Sequence, residues 1–97
     1  MHISYGYFHQ IFQLDLHKQQ PTWHIALGIH PWWAETATAE ALSELEKLLT
    51  QQSEHITAVG EIGLDFALSE QSFSAQQQFF SAQLALAARH AKPVILH

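Results

Sequence analysis

Three residues able to ligate a metal or move a proton stand where apolar runs of this chain end. His30 follows the run 25–29, Glu61 follows 56–60, and His97 follows 94–96. A carboxylate at the end of a buried strand is costly unless a cation or hydrogen bonds compensate it. Glu61 lies within Ala58-Val59-Gly60-Glu61-Ile62-Gly63-Leu64-Asp65, close to two glycines. The glycines allow close approach of backbone or ligand, and Gly63 can take a positive φ where the chain turns. Imidazole and carboxylate are ligands of zinc, manganese and similar divalent ions, and such a site needs no cysteine. A metal held there would lower the pKa of bound water and polarise a phosphoryl or carbonyl oxygen. Each residue also has an ordinary reading, as a loop cap, a turn cap or an inert terminal residue. Their coincidence at three strand ends favours the metal site.

The elements that must position these residues follow from the apolar pattern. Residues 25–29, entered from Pro21 and stopped by Pro31, form one short run; 56–62 and 93–96 form two more. Between the first two, residues 38–50 carry Leu42, Leu45, Leu48 and Leu49 at helical spacing, with Glu40 in the first turn. Between the second and third, residues 72–90 predict a helix. Its apolar stripe is Phe73, Phe80, Leu84 and Ala87 or Ala88, with glutamines 76–78 and Arg89 on the polar side. Ser74 and Gln77 have capping-box spacing, and Lys92-Pro93 ends the helix. Tyr7, Phe8, Ile11, Phe12 and Leu14 suggest a further short amphipathic helix before Pro21. Strands alternating with helices of this length give βαβ units and a parallel sheet, here of three strands at most. In such a sheet the strand exits share one rim, where parallel α/β folds place their chemistry.

With 97 residues the chain is at most one small domain. Apolar residues make up 47% and charged residues 13%, a balance that suits a buried α/β core. The net charge of −5 argues against holding nucleic acid by the protein surface alone. It leaves room for a nuclease whose metal ions supply the positive field. The absence of cysteine excludes disulfides, thiolate metal sites and a cysteine nucleophile. No membrane-length apolar run or signal-peptide pattern is present, so the expected location is the cytoplasm. There is no Gly-rich phosphate loop and no Ser/His/Asp set. Six of the eight histidines (2, 9, 17, 24, 55 and 90) are read as solvated or capping. Glu44, Glu46 and Lys47 are read as a solvated helix face.

Three ordered blocks carry a resemblance: Ala26-Leu27-Gly28-Ile29-His30-Pro31, then Ala58-Val59-Gly60-Glu61-Ile62-Gly63-Leu64-Asp65-Phe66, then Lys92-Pro93-Val94-Ile95-Leu96-His97. In order and spacing over about residues 24–97 they resemble consecutive blocks of the TatD family of metal-dependent hydrolases. Gln78, Phe79, Gln83, Leu84 and Ala87 also fit the helix that precedes the last block. The resemblance implies part of a (β/α)8 TIM barrel with a site for one or two divalent ions (Mg, Mn or Zn) at its C-terminal rim. It implies deoxyribonuclease-like hydrolysis of a phosphodiester by metal-activated water, on DNA or another phosphate ester, without a membrane or an obligate protein partner. By position, Glu61 would contact the metals and His97 would bind one. Asp65, grouped with Glu61 among the catalytic residues, would support a ligand or fix the loop. His30 would stand at the site mouth, with less weight as a direct ligand. Trp32, beside Trp33, would offer a base-stacking surface there or pack the loop onto a helix.

The sequence also departs from that family. It contains no His-x-His pair, and the first strand, first helix and second strand of a barrel are expected to be missing. It ends before strands that would bring another histidine and a late aspartate. Residues 1–97 are therefore expected to form one partial barrel domain: an N-terminal helix, two βα units and a final strand. That is roughly three-eighths of a barrel of about 250 residues. With two expected ligands where catalytic zinc usually has three, the chain is expected to be inactive alone. The competing expectation is a non-catalytic truncated remnant, or an α/β piece that self-associates through exposed sheet edges.

Overall fold

The computed structural model describes residues 2–4 and 24–97. The helix expected over Tyr7 to Leu14 lies outside these residues. Four strands form one parallel sheet in the order β1 (His2–Ser4), β2 (His24–Leu27), β3 (Ile56–Ile62), β4 (Val94–Leu96). The three strands read from apolar runs are present, with β2 ending two residues before the end of its run. β1 adds a fourth, although His-Ile-Ser has no apolar run to announce it; it is defined by its pairing with His24 to Ala26 of β2.

Two helices connect the strands on the pattern expected: α1 (Ala39–Gln51) between β2 and β3, and α2 (Phe73–Arg89) between β3 and β4. Strand β3 is buried along almost its whole length, as a central parallel strand must be when both faces are covered. Ile25, Leu27, Ile56, Val59 and Ile62 from the sheet pack with Leu45 and Leu49 of α1 and Leu86 and Ala87 of α2. A second cluster nearer the strand exits joins Ile29 and Ala34 to Ala41 and Phe79. Between the helices Arg89 Nη1 meets Glu46 Oε2 at 2.9 Å, so Glu46 links two elements as well as facing solvent.

Helix α2 keeps its predicted span to within a residue at each end, and Phe80 and Ala87 of its predicted stripe pack on the core. The rest of its buried face and its cap differ. Its buried residues are Gln76, Phe79, Gln83, Leu86 and Ala87, whereas Leu84 is exposed. The predicted polar side thus contributes a glutamine to the interior. The chain enters α2 through a single 3-10 turn, Glu70–Ser72, and the N-cap Ser72 makes no side-chain capping bond. Ser74 and Gln77 lie inside the helix, which removes the capping-box reading. At the other end Ala91 takes φ 53°, Lys92 N–H donates to Ala87 O at 2.9 Å, and Ala91 N–H donates to Ala88 O at 3.2 Å. This pair of bonds is a Schellman closure, completed before Pro93.

Candidate metal centre

Because the strands are parallel, the exits of β2, β3 and β4 open on the same rim of the sheet. Close backbone approach sets their spacing. A Cβ on Gly60 would sit 2.7 Å from Ile95 Cβ, and one on Gly28 would sit 3.0 Å from Gly60 N. Register between β3 and β4 slips between Gly60 and Ile62, the position that carries Glu61. The Gly60–Glu61 peptide is cis. Gly63 follows with φ 149°, the positive value anticipated for a turn. His97 N–H donates to Ile62 O at 2.9 Å, which ties the end of β4 to the end of β3.

These constraints bring together the residues singled out by sequence. One ligand atom each from His30, Glu61 and His97 falls within 4.8 Å of the others. His30 Nε2 lies 3.1 Å from His97 Nδ1, and Glu61 Oε1 lies 3.7 Å and 3.6 Å from those two nitrogens. Asp65 Oδ2 accepts the Trp32 indole N–H at 2.9 Å and lies 3.1 Å from His97 Nε2. Asp65 Oδ1 accepts the Ala67 N–H at 3.0 Å. The Trp32 ring meets the His30 and His97 rings edge-on, and Trp32 remains 60% exposed.

The partners assign the imidazole protons. Trp32 N–H donates to His30 Nδ1 at 3.1 Å, so neutral His30 carries its proton on Nε2. The Asp65 carboxylate only accepts, so in a neutral His97 ring the proton sits on Nε2 and Nδ1 is bare. His30 Nε2–H then donates to His97 Nδ1, giving one hydrogen-bond chain that runs from Trp32 to Asp65. Burial pushes the His30 pKa down; His97 adds to this, while Glu61 and Asp65 oppose it. The Trp32 indole bond, then the His97 and Ala67 bonds, hold the Asp65 carboxyl below its ordinary range.

The donor set fits a divalent ion. A tetrahedral centre with bonds of about 2.0–2.1 Å spaces its ligand atoms about 3.3–3.4 Å apart. The three separations here, 3.1, 3.6 and 3.7 Å, bracket that value. The Glu61 carboxylate and the unprotonated Nδ1 of neutral His97 could ligate directly, whereas neutral His30 would first shift its proton from Nε2 to Nδ1 and give up the bonds to His97 Nδ1 and from Trp32 N–H. His30 supplies one corner of the donor triangle.

Sequence reasoning missed what supports this rim. Gln83 Oε1 accepts the Ile29 N–H at 2.5 Å, and its Nε2 donates to Ile29 O at 3.1 Å and Phe79 O at 3.0 Å. Gln76 Oε1 accepts the Asp65 N–H at 2.6 Å, and its Nε2 donates to Asp65 O at 3.1 Å and Ser72 Oγ at 2.9 Å. Periodicity treats glutamine as solvent-facing, so neither was legible as a buried residue; the repeat at seven residues was the available signal.

The profile of the family described as TatD related DNase matches residues 4–97. The chain belongs to the TatD-related DNase family. It is 42% identical over 72 residues to "Uncharacterized metal-dependent hydrolase YjjV" of Escherichia coli K12, covering 74% of this chain and 28% of that protein. It is 46% identical over 70 residues to "3'-5' ssDNA/RNA exonuclease TatD" of Edwardsiella piscicida, covering 72% and 26%. The crystal structure of the E. coli YjjV protein, a TatD homologue, superposes with a TM-score of 0.89 at 33% identity. The match covers 99% of this chain and 38% of that one. The described strands and helices are thus part of a TatD-type TIM barrel, and the chain spans little more than a quarter of these curated relatives' length. Within that TatD framework His30, Glu61 and His97 occupy three consecutive strand exits of the barrel.

Proposed function

We propose that this chain carries the divalent-metal edge of a TatD-type nuclease site, with His30, Glu61 and His97 holding one ion. The observation that carries this reading is the donor triangle, assembled from three strand exits within 4.8 Å. Two imidazoles with one carboxylate suit manganese or zinc better than magnesium, which favours all-oxygen ligation. When bound, the ion would activate water and polarise a phosphoryl oxygen. Asp65 serves as an orienting carboxylate: it fixes the His97 tautomer and presents Nδ1 to the site. Trp32 holds Asp65 by its indole N–H while its exposed ring offers a face on which a nucleotide base can stack. The substrate class is the end of a single-stranded nucleic acid, by likeness to the relatives named as ssDNA/RNA exonucleases. By itself the 97-residue chain is proposed to bind metal without turnover. The three donors would hold one ion, and the sequence lacks the His-x-His pair that the family resemblance leads one to expect beside it.

Calorimetric titration of the purified chain with Mn²⁺ or Zn²⁺ tests this. One ion per chain is expected, with at least tenfold weaker binding in Glu61→Ala and in His97→Ala. Equal affinity in all three proteins would remove the metal assignment. Degradation of a 3'-labelled single-stranded oligonucleotide, abolished by Glu61→Ala, would overturn the claim that the chain alone does not turn over.

A further inference from the structure

We infer that Gln76 and Gln83 are positioning residues, a matched pair of backbone clamps through which α2 places the Asp65 and His30 side chains. The inference rests on the metal reading of the rim. Both glutamines are only 1% exposed. A carboxamide has one acceptor oxygen and two donor hydrogens, and both residues spend them in the same way. The oxygen takes one residue's N–H and one hydrogen goes to that residue's C=O; the other goes four positions back, from Gln83 to Phe79 O and from Gln76 to the Oγ of Ser72, the residue just before α2. Each amide therefore acts as a strand neighbour for a single residue of an irregular segment. Those residues are Ile29, which precedes His30, and Asp65 itself.

A buried glutamine can be no more than a satisfied core residue. Two features separate these from that reading. The clamped residues are the backbone positions that aim His30 and Asp65, and both clamps lie on one helix. Seven residues span two helical turns, roughly 10–11 Å, so α2 acts as a ruler between the exit of β2 and the loop after β3. Without the amide, the Ile29 or Asp65 backbone pair would need new partners. The segment would shift to find them, and the side chain it carries would lose its aim.

The test uses Gln76→Met and Gln83→Met, which keep length and volume while removing the amide. Two readouts are taken: Mn²⁺ affinity by calorimetry, and imidazole ring-nitrogen shifts by long-range ¹H–¹⁵N NMR in the metal-free chain. Each variant is expected to bind metal at least tenfold more weakly, the range seen when an outer-shell partner is lost. The larger ring-nitrogen change should fall on His30 in Gln83→Met. In Gln76→Met it should fall on His97, whose Nε2-protonated form should give way to a mixture. Folded variants with wild-type affinity and wild-type ring shifts would overturn the inference. If a methionine variant does not fold, Gln76→Glu or Gln83→Glu, which keeps the acceptor oxygen and the volume, is read by the same two measurements. If the unmodified chain binds no ion, the metal reading fails, while the ring shifts still decide whether the clamps place the histidines.

Discussion

At the scale of residues, the centre is governed by where protons sit. His30 is held neutral by burial and by His97 beside it, against the pull of Glu61 and Asp65. Its folded pKa lies below 6.5, so between those two values the unfolded chain binds a proton that the folded chain refuses. Stability from this group is therefore complete above pH 6.5 and is lost as pH falls through the folded value. Asp65 has the same sign in a lower window: its contribution is complete above pH 3.8 and is lost on further acidification. Denaturant melts across pH, paired with an NMR titration of the His30 ring, should show stability rising with pH just below 6.5 and a His30 midpoint under that value. A midpoint at or above 6.5 would contradict the burial argument. His30, Glu61 and His97 stood out in the sequence as candidates because their types are rare at the ends of apolar runs. The closeness of His30 Nε2 to the Glu61 and His97 atoms was not legible, since it depends on how the loop after β2 folds back.

Among the elements, strands β2, β3 and β4 could be read because parallel strands buried on both faces give unbroken apolar runs. β1 could not, because His-Ile-Ser has no such run and becomes a strand only by pairing with β2. Part of the α2 face was misread for a related reason: an amide that bonds backbone can be buried as deeply as leucine. Gly60 shows how tightly the elements are set. Gly60→Ala would drive a methyl to within 2.7 Å of Ile95 Cβ and 2.8 Å of Ile95 O. Overpacking of this kind costs about 1–3 kcal/mol. Urea unfolding should show that loss, and β4 should be displaced enough to weaken metal binding through His97. Unchanged stability would mean that β3 and β4 are less constrained than their spacing implies.

For the molecule as a whole, the sheet among the described residues is an open arc, with β4 hydrogen-bonded to a strand on one side only. Leu96 on that strand is 62% exposed. An open edge with apolar side chains invites pairing with another copy. Sedimentation velocity of the 97-residue chain should therefore show concentration-dependent association, shifted by Leu96→Lys; a strict monomer at all concentrations would argue that the edge is protected. The same parallel arrangement divides the arc into two rims. Every candidate ligand and both glutamine clamps serve the rim where strands end. The connections entering β3 and β4, around residues 52–55 and 90–93, belong to the opposite rim and contribute no donor to the triangle. Extensions or tags at the rim where strands begin are therefore expected to disturb the donor triangle less than changes at the rim where they end.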